Sequence, residues 1–162
     1  MSLKDRTRAS DGQYALENKH VFVINGAVEV LELVRELLQD ERYNVTTTNF
    51  TPRTWHQIDA LQPDLIMVDL VVGQLAGWEL LEDLHLKFTT CGIPVIIFST
   101  DQSLLYSAEC LAYRFGGQRY LAKPFDIDVL CQAVRDLIGP AEREREVATV
   151  VDYSGHESGT AD

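Results

Sequence analysis

Five short runs of strand-forming residues, three of them almost wholly apolar, alternate along this chain with stretches of helical periodicity, and few folds satisfy both at once. Strands are expected at 21–25, 43–49, 64–69, 94–99 and 118–122, the first, third and fourth carrying Val21-Phe22-Val23-Ile24, Leu65-Ile66-Met67-Val68 and Val95-Ile96-Ile97-Phe98. Runs that are apolar at consecutive positions have no polar side to turn to solvent, so they belong in a sheet covered on both faces. Helices fill the intervals. Residues of about 27–40 place Val28, Leu31, Val34, Leu37 and Leu38 on one stripe, and Thr51-Pro52 offers a capping hydroxyl and a first-turn proline for a helix to about Leu61. A loop at 70–77 leads into a helix bearing Trp78, Leu81, Leu84, Leu86 and Phe88, and a helix at about 102–115 is stopped by Gly116-Gly117. Asp126 can cap a last helix that turns Val129, Leu130, Ala133, Val134 and Leu137 inward, before Gly139-Pro140 ends it. Crossover helices between parallel strands lie on the sheet faces, so the expected architecture is α/β, a parallel sheet in a three-layer αβα sandwich.

The 162 residues, 46% of them apolar, suffice for one core. The expected organisation is a polar leader over 1–18, one domain over 19–139 and an acidic, disordered tail over 140–162, where Glu142-Arg143-Glu144-Arg145-Glu146 alternates in sign as a solvated segment does. A formal charge of −11 with dispersed basic residues opposes nucleic acid and anionic membranes as partners. No apolar stretch approaches the roughly 18 residues of a membrane span and the N-terminus lacks a signal-peptide core, so a cytoplasmic protein is expected. Cys91, Cys110 and Cys131 are widely spaced and read as reduced packing thiols. His20, His56, His85 and His156 show no ligand spacing, and Trp55, Trp78 and Phe88 fall at core spacing.

Chemistry is expected where the strands end, because open parallel sheets bind ligands beyond the carboxyl ends of their strands. The third run delivers Asp69 there, the fourth Ser99 and Thr100, the fifth Tyr120-Leu121-Ala122 followed by Lys123-Pro124. The first ends in Asn25-Gly26, without charge. Taken singly, Asp69 is a solvated strand-end acid, Ser99 a loop hydroxyl, Lys123 a surface lysine and Tyr120 ordinary half-buried packing. The set reads differently. Pro63-Asp64-Leu65-Ile66-Met67-Val68-Asp69, Gly77 eight residues on, Ser99, and Tyr120 with Lys123-Pro124-Phe125 stand in an order and spacing that resembles the response-regulator receiver domain over about Lys19 to Gly139.

That resemblance implies a flavodoxin-like doubly wound sheet of order 2-1-3-4-5 and a non-enzymatic signalling module, a single-domain receiver in a phosphorelay of two-component type. Asp69 would be the phosphoacceptor, attacking the phosphoryl group of a phosphohistidine on a histidine kinase or phosphotransfer protein, or of a small phosphodonor. Lys123 would neutralise the transferred oxygens and Ser99 would hydrogen-bond one of them. Tyr120 would be the switch, repacking an output face made by the fourth helix, fifth strand and fifth helix, where a downstream protein docks; a homodimer is a further expected partner state. The Lys123-Pro124 bond would be cis, as is typical of the family.

The resemblance also implies a Mg²⁺ site, and here the chain departs from it. The family places two acids at the end of the first strand, whereas this chain has Asn25 and Gly26, leaving at most a degenerate site of Asp69, Asn25 and the Val71 backbone carbonyl. A divalent ion about 4 Å from a carboxylate gains roughly 8 kcal/mol gross at an effective dielectric near 20. If a quarter of that survives lost hydration, two missing acids weaken Mg²⁺ by about 4 kcal/mol, roughly a thousandfold, so Mg²⁺ is expected weak or absent. Glu29, about a turn into the first helix, is the nearest acid that could compensate. Three readings follow: a slow or weakly metal-dependent phosphoacceptor, a phosphorylation-independent pseudo-receiver that binds proteins, and a small α/β enzyme. The last ranks lowest because no Gly-rich phosphate loop or nucleophile elbow is present.

Overall fold

The structure is a computed structural model; it describes residues 16–144, of which Asn18–Arg143 forms one compact unit. After a short strand β1 (Leu16–Asn18) come five parallel strands, β2 (His20–Ile24), β3 (Asn44–Thr48), β4 (Leu65–Asp69), β5 (Val95–Ser99) and β6 (Arg119–Ala122). They form a sheet of order β3-β2-β4-β5-β6, the expected 2-1-3-4-5 when only these five are counted, while β1 and a final short strand β7 (Glu142–Glu144) lie outside it. The helices are α1 (Val28–Asp40), α2 (Thr54–Leu61), α3 (Ala76–Leu86), α4 (Gln102–Cys110), α5 (Ala112–Phe115) and α6 (Ile127–Ile138).

Alternation along each strand divides the core in two. On one face Val21, Val23, Met67, Ile96 and Phe98 meet Leu31, Val34 and Leu38 of α1 and Leu130 and Val134 of α6. On the other, Phe22, Ile24, Ile66, Val68 and Ile97 meet Ile58 of α2, Leu80, Leu81 and Leu84 of α3 and Leu105 and Ala108 of α4. All five residues of β4 are buried, which explains why its sequence lacks a polar alternate. Each fully buried Ile, Leu or Phe contributes about 1.5–3 kcal/mol, enough for these faces to dictate the register of every strand.

Several expectations of detail are corrected. Val28 (54%), Leu86 (71%), Phe88 (94%) and Val129 (51%) are exposed, because each sits in the first or last turn of its helix or beyond it, where the stripe has already turned off the sheet. Helix α2 begins at Thr54 rather than at Thr51-Pro52: the Thr51 N–H donates to Thr54 Oγ1 at 2.9 Å, which makes a turn before the helix. The helix expected over 102–115 breaks at Leu111 into α4 and α5, and after the break Phe115 is buried edge-on against Trp78, with ring centroids 4.7 Å apart. Cys91 and Cys110 are exposed, leaving Cys131 as the buried thiol of the three. Order continues past Gly139-Pro140: Ala141 is buried, its carbonyl accepts from the Lys19 N–H at 2.8 Å, and Glu142–Glu144 is a strand. The remainder of the expected tail, from 145, and most of the expected leader lie outside the described residues, as does His156.

Candidate functional site

Register and alternation decide which strand-end side chains can meet. Ile24 pairs with Val68, so Asn25 and Asp69 stand side by side one residue further along β2 and β4. Asp69 pairs with Phe98, Phe98 with Leu121, and Ser99 with Ala122. Because Val23, Met67, Phe98 and Leu121 face α1 and α6, residues two further on face the same way, which puts Asn25, Asp69 and Lys123 on that face. Ser99 falls on the opposite face, the one to which Tyr120 belongs.

Lys123 and Asp69 start from strands separated by β5, and Phe98 fills the space between them. The lysine lies over that ring, Nζ 4.9 Å from its centroid, and reaches Asp69 Oδ1 at 2.8 Å. Phe98 is in turn braced edge-on by Phe125, centroids 6.3 Å apart. The Lys123-Pro124 bond is cis. Side-chain exposure is 4% for Asp69 and 14% for Lys123, so the acid is shut beneath its partner. Burial pushes the Asp69 carboxyl above its ordinary value, opposed by the hydrogen bond and positive charge of Lys123.

Ser99 Oγ is fully buried; it donates to the Leu70 carbonyl at 2.5 Å and accepts from the Asp101 N–H at 3.1 Å. The hydroxyl thus ties the residue after Asp69 to the start of α4. Asp101, which the sequence reading did not single out, caps α4 by accepting from the N–H groups of Ser103 (2.8 Å) and Leu104 (3.1 Å). Its signal was an aspartate directly before a helical stretch. Tyr120 is half-buried and its hydroxyl donates to the Gly117 carbonyl at 2.8 Å. Burial, with a smaller contribution from Glu109, raises its phenol above the usual value. Gly77, expected to end the loop, lies in the first turn of α3: a Cβ there would stand 2.9 Å from both the Asp69 carbonyl oxygen and Leu70 Cδ2, so α3 packs directly on the backbone that carries the acid.

The residues present do not fit a divalent cation. Asp69 contributes one negative charge, already paired with Lys123. Asn25 Oδ1 is engaged, accepting from the Ala27 N–H at 2.8 Å, and the Val71 carbonyl accepts from the Gln74 N–H at 3.2 Å. Gly26 supplies no side chain, and Glu29 is exposed in the first turn of α1. Among the described residues no three His, Cys, Asp or Glu side chains group as a metal site would require. A concavity of about 350 Å³ lies elsewhere, lined by Phe50, Trp55, Glu79 and Asp83 among others, and none of the convergent residues borders it.

A family model for the response regulator receiver domain matches residues 21–135. The chain belongs to that family. This receiver domain is 28% identical over 117 residues to the regulatory protein VirG of Agrobacterium tumefaciens, an alignment covering 72% of this chain and 42% of that protein. Its fold matches the chemotaxis protein CheY4 of Vibrio cholerae with a TM-score of 0.66 at 18% identity, over 75% of this chain and 99% of the other. It also matches the receiver domain of the sensor histidine kinase PA1611 of Pseudomonas aeruginosa, with a TM-score of 0.65 at 18% identity over 76% and 99%; that structure has a magnesium ion coordinated in the active-site cleft. The chain spans about half the length of the curated relatives it matches, 56% and 42% for two of them. Among the described residues no helix is long and apolar enough to cross a membrane.

Proposed function

We propose that this receiver domain accepts a phosphoryl group on Asp69 from the phosphohistidine of a histidine kinase or phosphotransfer protein, and signals through a changed protein-binding face. The observation that supports it is the 2.8 Å approach of Lys123 Nζ to Asp69 Oδ1 at the carboxyl edge of the sheet, from strands two places apart. An Asp69 oxygen attacks phosphorus; the O–P bond forms as the P–N bond breaks, and the imidazole leaves with the electron pair. Lys123 then pairs with the transferred oxygens instead of the carboxylate. Ser99 exchanges the Leu70 carbonyl for a phosphoryl oxygen, which pulls on Asp101 and the start of α4, and Tyr120 leaves the Gly117 carbonyl to repack the surface made by α4, β6 and α6. Transfer proceeds slowly and with weak dependence on Mg²⁺, because the donor set for the ion is lacking.

A second reading, a pseudo-receiver that binds partners without phosphorylation, is favoured by the 4% exposure of the Asp69 side chain beneath Lys123. Intact-mass measurement after incubation with acetyl phosphate separates the two. A single phosphoryl adduct that disappears in Asp69→Asn supports transfer. No adduct on the native chain, with adduct appearing in Gly26→Asp plus Mg²⁺, supports the pseudo-receiver.

A further inference from the structure

Asn25 Nδ2 is buried and has no hydrogen-bond partner, in a residue only 1% exposed. Leaving such a donor unpaired is costly, so a buried orphan amide points to a ligand. Its orientation is not arbitrary. Oδ1 is held by the Ala27 N–H at 2.8 Å, which fixes the amide plane and turns the NH₂ away from that bond. Strand register places Asn25 beside Asp69, on the face that also carries Lys123. Gly26 adds no side chain to obstruct the space, for nothing lies within 4 Å of where its Cβ would stand.

We infer that the end of β2 is a seat for an oxyanion rather than a cation: Asn25 Nδ2 donates to a phosphoryl oxygen while Lys123 neutralises another, with no divalent metal between them. An Asp at this position would repel the same oxygens unless a cation stood between. Asparagine reverses the preference with no change of shape, because Oδ1 keeps its bond to Ala27 while the other terminal atom becomes a donor. The inference rests on the reading of Asp69 as the phosphoryl position, but it concerns binding, which is measurable without transfer.

The test uses the Asp69→Asn protein, which cannot be phosphorylated at that position and leaves Lys123 free to meet the anion. Inorganic phosphate is titrated in the presence of EDTA, with the side-chain amide resonances of Asn25 followed by NMR. The expected result is a saturable shift of the Asn25 NH₂ pair, unchanged by added Mg²⁺, and at least tenfold weaker phosphate binding in the Asn25→Asp, Asp69→Asn double variant. Equal binding by the double variant, an unmoved Asn25 amide, or binding that requires Mg²⁺ would overturn the seat. Should the double variant fold poorly, the resonance shift in the single variant decides alone. Acetyl phosphate added to the native chain separates the two claims: phosphate bound by the single variant with no adduct on the native chain upholds the seat and defeats the phosphoacceptor reading.

Discussion

The two halves of the rim at the carboxyl edge of the sheet have diverged in chemistry while sharing one backbone. On the side of β4 and β6, Asp69 and Lys123 form a close ion pair laid over Phe98. On the side of β2, the corresponding turn is Asn25-Gly26, uncharged, with a satisfied amide oxygen and an unsatisfied amide nitrogen. Geometry does not distinguish the halves: Ile24 pairs with Val68 in the same parallel register that Asp69 keeps with Phe98. The difference teaches that the charge of this rim is set strand end by strand end and not by the backbone, which is alike on both sides.

Substitutions on the two sides should therefore have unequal effects. The largest is expected on the β6 side. Lys123→Ala removes the positive charge paired with Asp69 and, on the proposed transfer, should slow adduct formation by about 10²–10³-fold, the usual cost of losing one electrostatic stabiliser, as read by intact mass against time. On the β2 side Gly26→Asp adds a carboxylate where there is room for one, and should strengthen Mg²⁺ binding by about thirtyfold, equivalent to about 2 kcal/mol for one restored acid, as read by titration calorimetry. If Lys123→Ala leaves the rate unchanged while Gly26→Asp raises it steeply, the comparison is inverted and the native site is inert for lack of metal.

Smaller effects sharpen the boundary between the halves. Gly77→Ala forces a Cβ to within 2.9 Å of the Asp69 carbonyl oxygen, and the crowding should outweigh the gain in helix propensity, costing about 1–3 kcal/mol in a denaturant titration. Gly26→Ala, with nothing within 4 Å of its Cβ, should change stability little in the same assay. The smallest effect is one of pH. Because burial raises the folded-state pKa of Asp69 above its unfolded value, the native state binds the extra proton in the interval between them, so this group favours folding below the unfolded pKa and loses that contribution as pH rises through the folded one. The stability of the native chain relative to Asp69→Asn should accordingly fall as pH rises upward from about 3.8; a relative stability that rises over this interval would mean that the Lys123 charge outweighs desolvation.

Much of this was legible in the chain itself, for identifiable reasons. The burial of β4 follows from the run Leu65-Ile66-Met67-Val68, whose consecutive apolar residues admit only a doubly covered strand, whereas the order of the sheet was implied by the resemblance to the receiver domain. The meeting of Asp69 with Lys123 follows from their places at the ends of strands two apart. The misjudged positions were those where periodicity runs past the contact it serves: Val28, Leu86, Phe88 and Val129 continue a helical stripe after the sheet beneath has ended. Hydrogen bonding also escaped the pattern. The hold of Ser99 on the Leu70 carbonyl leaves no trace in residue spacing, because it joins the ends of two neighbouring strands through one hydroxyl.

The most direct test of the separation between the two halves is the rate of phosphoryl adduct formation from acetyl phosphate, compared in EDTA and in saturating Mg²⁺, for the native chain and for Gly26→Asp. The account predicts a slow adduct on the native chain, absent in Asp69→Asn and nearly equal in EDTA and Mg²⁺, and a rate in Gly26→Asp that depends on the metal. A native chain that acquires no adduct in either condition, or one whose rate in Mg²⁺ exceeds that in EDTA by orders of magnitude, would contradict it.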